Sequence, residues 1–166
     1  MALAPPQAPK WHTREDSGFV IDRNVDWWHD GERIEHPNIV EAFNKGLRIT
    51  DDGRYKLEFG NDWCFVKVQG AAFKVVAIDV AQDSKDEHVV SLRLSDRTTE
   101  WLDLASLQLD DEGVLVTSVK QGRAIARFNR ETHFELAQLL EPDATGKTLQ
   151  LRIGERVWPT SVLVKL

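Results

Sequence analysis

The densest grouping of chemically capable side chains is Asp26-Trp27-Trp28-His29-Asp30-Gly31, followed closely by Arg33. Successive side chains on an extended strand point to opposite faces, so one of Trp27 and Trp28 turns away from whatever the other buries. An amphipathic indole beside His29 and Arg33 is suited to anchoring a partner or an organic ligand. The alternative is core, with the second face packed under a helix or the other half of the chain, and that is the commoner fate of tryptophan. Asp51, Arg54, Arg127 and Arg130 join His29 as the side chains that would line a metabolite or catalytic site between two halves of the chain.

Motifs of known chemistry occur only in part. Ala144-Thr145-Gly146-Lys147-Thr148 ends like a phosphate-binding loop, but Glu141 stands where that loop needs its first glycine, and an alternating strand pattern follows where a helix is required. Asp22, Asn24 and Asp26 match the opening ligands of a calcium loop, yet Trp27 replaces the obligatory glycine and Arg33 the bidentate glutamate. The five histidines, His12, His29, His36, His88 and His133, show no metal-ligand spacing, so neither a metal nor a cofactor is expected. No serine sits in a nucleophile elbow, and Cys64, inside the apolar run Trp63-Cys64-Phe65-Val66, belongs to a packed strand where its thiol pKa rises.

The elements that must position these residues are mostly short strands. Residues 19–21 and 25–29 read as strands around an acidic turn, and Asp30-Gly31 is a hairpin dipeptide leading to a strand that ends near Ile34. Pro37 opens a helix with Ile39, Val40, Phe43 and Leu47 on one face and Gly46 as its stop. Strands are expected at 55–59, 63–68, 73–80 and 88–94, the last three as an antiparallel meander, then at 114–119, 123–128, 149–153 and 161–166. A second helix is expected over 132–140, with Thr132 and Glu135 forming a capping box. Residues 19–47 and 107–140 share the order strand, acidic turn, strand, turn, strand, helix. The fold class is therefore α+β, mostly antiparallel strands with two short helices and a repeated strand-and-helix motif. It is divided into a flexible tail over 1–16 and two similar units over 17–96 and 97–166.

The chain has 166 residues, 42% of them hydrophobic, with six tryptophans and a single cysteine. That suits one packed domain or two small ones and leaves no intrachain disulfide. No signal segment opens the chain and no apolar run is long enough to span a bilayer, so a cytoplasmic location is expected. A net charge of −6 repels phosphate backbones, and nucleic acid and membrane are not expected partners.

The ordered motifs Trp27-Trp28-His29-Asp30-Gly31-Glu32-Arg33-Ile34, then Pro37, Ile39, Val40 and Phe43, then Asp52-Gly53-Arg54-Tyr55-x-Leu57 and Val66-x-Val68-x-Gly70-Ala-Ala-Phe73, resemble the bacterial family called domain of unknown function 1285 (DUF1285). The resemblance runs over roughly residues 18–160. Two positions depart from it: Arg33 stands where the family usually carries proline, and Gly70-Ala-Ala-Phe73 where it has Asp-Ala-Pro-Phe. The resemblance implies an α+β fold with repeated motifs and a conjectured place in signalling, and it supplies no catalytic residues. The expectation is a non-enzymatic binding or regulatory domain for an unidentified protein or small molecule. The alternatives are a metabolite-binding protein or small enzyme with its site between the halves, or a subunit that mainly oligomerises.

Overall fold

The structure, a computed structural model, describes residues 11–81 and 88–164. Among these the chain forms fifteen strands and two helices, and no helix is long and apolar enough to cross a membrane. The tail expected over 1–16 is described from Trp11 onward, and there it lies against the body: the Phe65 amide donates to the Arg14 carbonyl at 2.8 Å.

Strands β1 (Phe19–Ile21), β2 (Trp27–His29) and β3 (Glu32–Arg33) make an antiparallel ribbon. Helix α1 (Pro37–Gly46) follows, then β4 (Leu47–Ile49), β5 (Tyr55–Phe59) and β6 (Asp62–Val68) make a second one. Parallel pairing of β1 with β6, Val20 opposite Lys67, joins them into a six-stranded mixed sheet ordered β3-β2-β1-β6-β5-β4. A second six-stranded sheet repeats the construction. Strands β7 (Phe73–Val80), β8 (Val90–Leu94) and β9 (Thr99–Trp101) join β10 (Gln108–Leu109), β11 (Leu115–Val119) and β12 (Ala124–Phe128) through parallel pairing of β7 with β12. Helix α2 (Arg130–Ala137) then leads to a three-stranded sheet of β13 (Leu140–Pro142), β14 (Thr148–Ile153) and β15 (Arg156–Leu163).

The α+β class holds, with two alike mixed sheets. The single meander expected over residues 63–94 does not form, because β6 and β7 belong to different sheets. The link between them donates to both: Gln69 N to Ile21 O at 3.0 Å on one side, Ala72 N to Ile125 O at 3.1 Å on the other. The chain thus steps from sheet to sheet where a reversal was expected. Residue 96 falls between β8 and β9, which pair as neighbours.

The acidic turns that lead from β1 to β2 and from β10 to β11 are built alike. Asp22 Oδ1 accepts from the amides of Asn24 and Asp26, both at 2.9 Å, and Asp110 Oδ1 accepts from Glu112 at 2.9 Å and Val114 at 3.0 Å. Short carboxylates favour such turns because they replace backbone partners locally. The fourth residue of each is left-handed, Val25 at φ 64° and Gly113 at φ 78°.

In α1, Phe43 is buried against the first sheet. Gly46 ends the helix through close approach: a β-carbon there would collide with the Glu58 carbonyl oxygen of β5. α2 begins two residues earlier than its expected cap. Its N-cap is Asn129, whose side chain accepts from the Thr132 amide at 2.8 Å, while the Thr132 hydroxyl is spent on the buried Val75 carbonyl at 3.0 Å. The helix ends at Ala137, and Leu140 pairs with Leu151 in β13. β15 begins five residues earlier than expected because Pro159 is tolerated on the edge strand of its sheet. One apolar core runs from Ile21 and Trp27 through Phe73, Leu92 and Phe128 to Leu151 and Val162.

Candidate functional site

The Trp27-Trp28-His29 strand resolves as the alternation requires. Trp27 is 1% exposed; its ring meets Phe43 edge-on at 5.3 Å and its Nε1 donates to Asn44 Oδ1 at 2.8 Å. Trp28 is half-buried on the opposite face, where Nε1 donates to Asp22 Oδ2 at 2.8 Å. Trp27 is therefore core, and Trp28 is tied to the acidic turn with part of its ring at the surface. His29 stacks on Phe19 at 4.3 Å and, through Nε2, donates to the Ser17 carbonyl at 3.1 Å.

The other expected site residues disperse. Arg33 pairs with Asp26 at 3.1 Å and, with Trp27, lines a cleft of about 920 Å³ between α1 and β7–β8. Most of its charged groups are paired, since Lys74 also pairs with Asp26 at 3.7 Å, Arg33 with Glu35 at 3.8 Å and Arg97 with Glu41, while Arg93 also lines it. Arg54 lies over the Phe65 ring at 3.7 Å and pairs with Asp52 at 2.9 Å and Glu15 at 3.1 Å. Asp51 is exposed in the turn before β5. Arg127 pairs with Asp110 at 2.8 Å and Glu112 at 3.0 Å, and it reaches Asn24 of the first sheet at 3.3 Å. Arg130 is exposed at the start of α2, over Phe134 at 6.0 Å. Among the described cavities, none gathers His29 with Asp51, Arg54, Arg127 or Arg130.

What the fold does assemble is an apolar cleft of about 690 Å³ on the first sheet. α1 contributes Ile39 and Phe43, β5 Leu57 and Phe59, β6 Trp63 and Cys64, β1 Phe19 and β2 His29; the N-terminal segment contributes His12, Thr13, Arg14 and Ser17. Its walls stay uncovered: Phe59 is 56% exposed and Ile39 42%. Cationic character comes from Arg14, set over the Trp63 ring at 4.7 Å and only loosely bonded to Asp62 at 3.4 Å. Burial pushes the Cys64 thiol up from its ordinary pKa, so the floor of the cleft offers no thiolate nucleophile at neutral pH.

At one end of this cleft His12, His29 and Asp30 converge, with one ligand atom from each lying within 4.8 Å of the others. This amends the expectation that the histidines form no ligand set. Sequence spacing gave no sign of it because His12 comes from the segment read as a tail. The turn between β2 and β3 puts Asp30 beside His12 at 2.6 Å.

No protein-family model matches the sequence and no curated protein matches it. Solved structures that share its fold include a DUF1285 family protein from Silicibacter pomeroyi DSS-3, at 19% identity and a TM-score of 0.61, with 86% of this chain and 79% of that chain covered. They also include a DUF1285 family protein from Shewanella baltica OS155, at 20% identity and a TM-score of 0.53, with 74% of this chain and 91% of that chain covered. At this identity the likeness shows the fold, in agreement with the resemblance carried by residues 27–73.

Proposed function

We infer that this chain, with the fold of the DUF1285 proteins, is a binding or regulatory domain that does no chemistry of its own, and that its site is the cleft on the first sheet. The observation that carries the reading is the uncovered apolar wall formed by Ile39 and Phe59, with the half-buried Trp63 beside it, around a volume suited to one small molecule. The larger cleft between α1 and β7–β8 has most of its charges already paired, and it lacks the run of aromatic side chains that lines the first-sheet cleft. Arg14, held by the lining Asp62 only at 3.4 Å, favours an anionic head, and the apolar floor favours a hydrocarbon or aromatic body. The ligand class is therefore an amphipathic carboxylate. The unpaired thiol of Cys64 and the bacterial sources of the structures sharing the fold support a bacterial cytoplasmic setting. A duplicated motif accounts for the common order β1-β2-β3-α1 over residues 19–47 and β10-β11-β12-α2 over 107–140, with matching Asp22 and Asp110 turns.

Calorimetric titration with straight-chain carboxylates of increasing length tests the reading. Each added methylene contributes about 0.8 kcal/mol, so affinity should rise roughly fourfold per carbon until the cleft is filled. Phe59→Glu should abolish this rise, and Phe134→Ala, at an exposed ring on α2, should leave it unchanged. Absence of saturable binding across the series, or equal binding by Phe59→Glu, contradicts the assignment.

A further inference from the structure

We propose that His12, His29 and Asp30 bind one divalent transition-metal ion of the zinc class. His12 Nε2 lies 2.6 Å and His29 Nε2 3.8 Å from Asp30 Oδ2. Ligands held about 2.0–2.1 Å from a tetrahedral zinc stand roughly 3.3 Å apart, and the two separations bracket that spacing. Two imidazoles with one carboxylate suit zinc or a neighbouring first-row ion, whereas calcium and magnesium take all-oxygen sets.

The hydrogen bonding around the rings points the same way. His12 Nδ1 lies 3.3 Å from the Asp16 carbonyl oxygen, an acceptor for the tautomer that carries hydrogen on Nδ1. In that tautomer the Nε2 lone pair faces the Asp30 carboxylate at 2.6 Å, and the two would part to roughly 3.3 Å to share a metal ion. A backbone carbonyl on the far nitrogen is the usual way a ligating histidine is oriented. His29 becomes a ligand when its hydrogen moves from Nε2 to Nδ1 and its bond to the Ser17 carbonyl is exchanged for the metal, a change that conserves protons. A simple His12–Asp30 ion pair needs only one of the two histidines; the second, 5.0 Å away ring to ring and stacked on Phe19, is what makes a ligand set.

The backbone is shaped to this cluster. Gly18 has φ 76°, and any β-carbon there would collide with the Asp30 carboxylate and crowd the His12 ring; Asp30 is left-handed at φ 51° because the Asp30-Gly31 hairpin turn requires it. Such conformations persist where surrounding structure demands them. Because His12 and His29 also line the cleft, the ion's remaining position is open to water or to a ligand's carboxylate. The metal site stands whether or not an organic ligand binds.

The test is calorimetric titration of the tag-free, chelator-treated full chain with zinc chloride. One ion per chain should bind, with affinity reduced at least about tenfold in His12→Ala and in Asp30→Asn and unchanged in His36→Ala, which alters an exposed histidine outside the cluster. Cobalt(II) should develop visible absorption saturating at one equivalent in the wild type and missing from His12→Ala. Circular dichroism verifies that each variant is folded, and Asp30→Asn serves if His12→Ala is not. Absence of saturable zinc binding, or equal affinity in wild type and the folded ligand variants, overturns the proposal. Carboxylate titrations of metal-free protein test the cleft separately, so the two readings can fail independently.

Discussion

Trp27 and Trp28 are adjacent, alike in chemistry and opposite in consequence. Alternation along the strand foretold that they would part, but which one enters the core depends on the side α1 covers, a long-range fact absent from the local pattern. Trp27 fills the space beside Phe43, so Trp27→Ala should cost about 3–5 kcal/mol in urea unfolding, as large buried aromatics do. Trp28→Ala should cost clearly less, and equal losses would contradict the placement. His12 shows the limit of local reading more sharply. Its neighbours carry no periodicity, and contacts distant in sequence, the Phe65 amide on the Arg14 carbonyl, the Ser17 hydroxyl on the Phe65 carbonyl and His12 on Asp30, hold this segment over the cleft. Gly18 illustrates how a site imposes itself on one residue. Gly18→Ala should lower the melting temperature and weaken zinc binding together, since the added methyl displaces Asp30 and His12.

The elements were largely legible where a local signal fixes them. Pro37 marked the start of α1, the Asp30-Gly31 dipeptide gave the hairpin between β2 and β3, and strict alternation gave β5. Legibility failed where a distant partner decides. Thr132 and Glu135 read as a capping box, but Thr132 bonds to the Val75 carbonyl of β7, and Asn129 caps α2 instead. Asn129→Ala should therefore destabilise the protein by about 1 kcal/mol, measured as a shift in the urea midpoint. Glu135→Ala, which a capping box would make equally harmful, should do little. Gly46 looked like a helix stop chosen for backbone freedom, whereas its role is to let α1 touch β5. Gly46→Ala should cost about 1–3 kcal/mol by overpacking, even though alanine is the better helix former. A stabilised Gly46→Ala would show that this contact is loose.

At the scale of the whole molecule, class and motif order were legible, but the assembly of two mixed sheets was not. Parallel pairing of β1 with β6 and of β7 with β12 joins strands far apart in the chain and leaves no turn signature. Carboxylates help hold the sheets in shape. Asp143 is held at a pKa of about 2 by the hydroxyls of Thr145 and Thr148. Asp110, which burial alone would raise, is lowered by hydrogen bonds from Arg127 and nearby amides, and Asp96 likewise by Lys120 and Thr98. Unfolded aspartate titrates near about 3.9, so the unfolded chain binds these protons first as pH falls. The stabilisation is complete above roughly pH 5 and is lost as pH drops toward the folded values. Urea midpoints should hold steady from neutrality to that point and then fall, less steeply in Asp110→Asn/Asp143→Asn than in the wild type. The central claim, that the cleft on the first sheet is a ligand site, is tested most directly by nitrogen–proton correlation spectra of the six tryptophan indoles during titration with decanoate. Movement of the Trp63 resonance to saturation, with Trp101 and Trp158 fixed, is the predicted result. A silent Trp63, or drift of all the indoles alike, would contradict it.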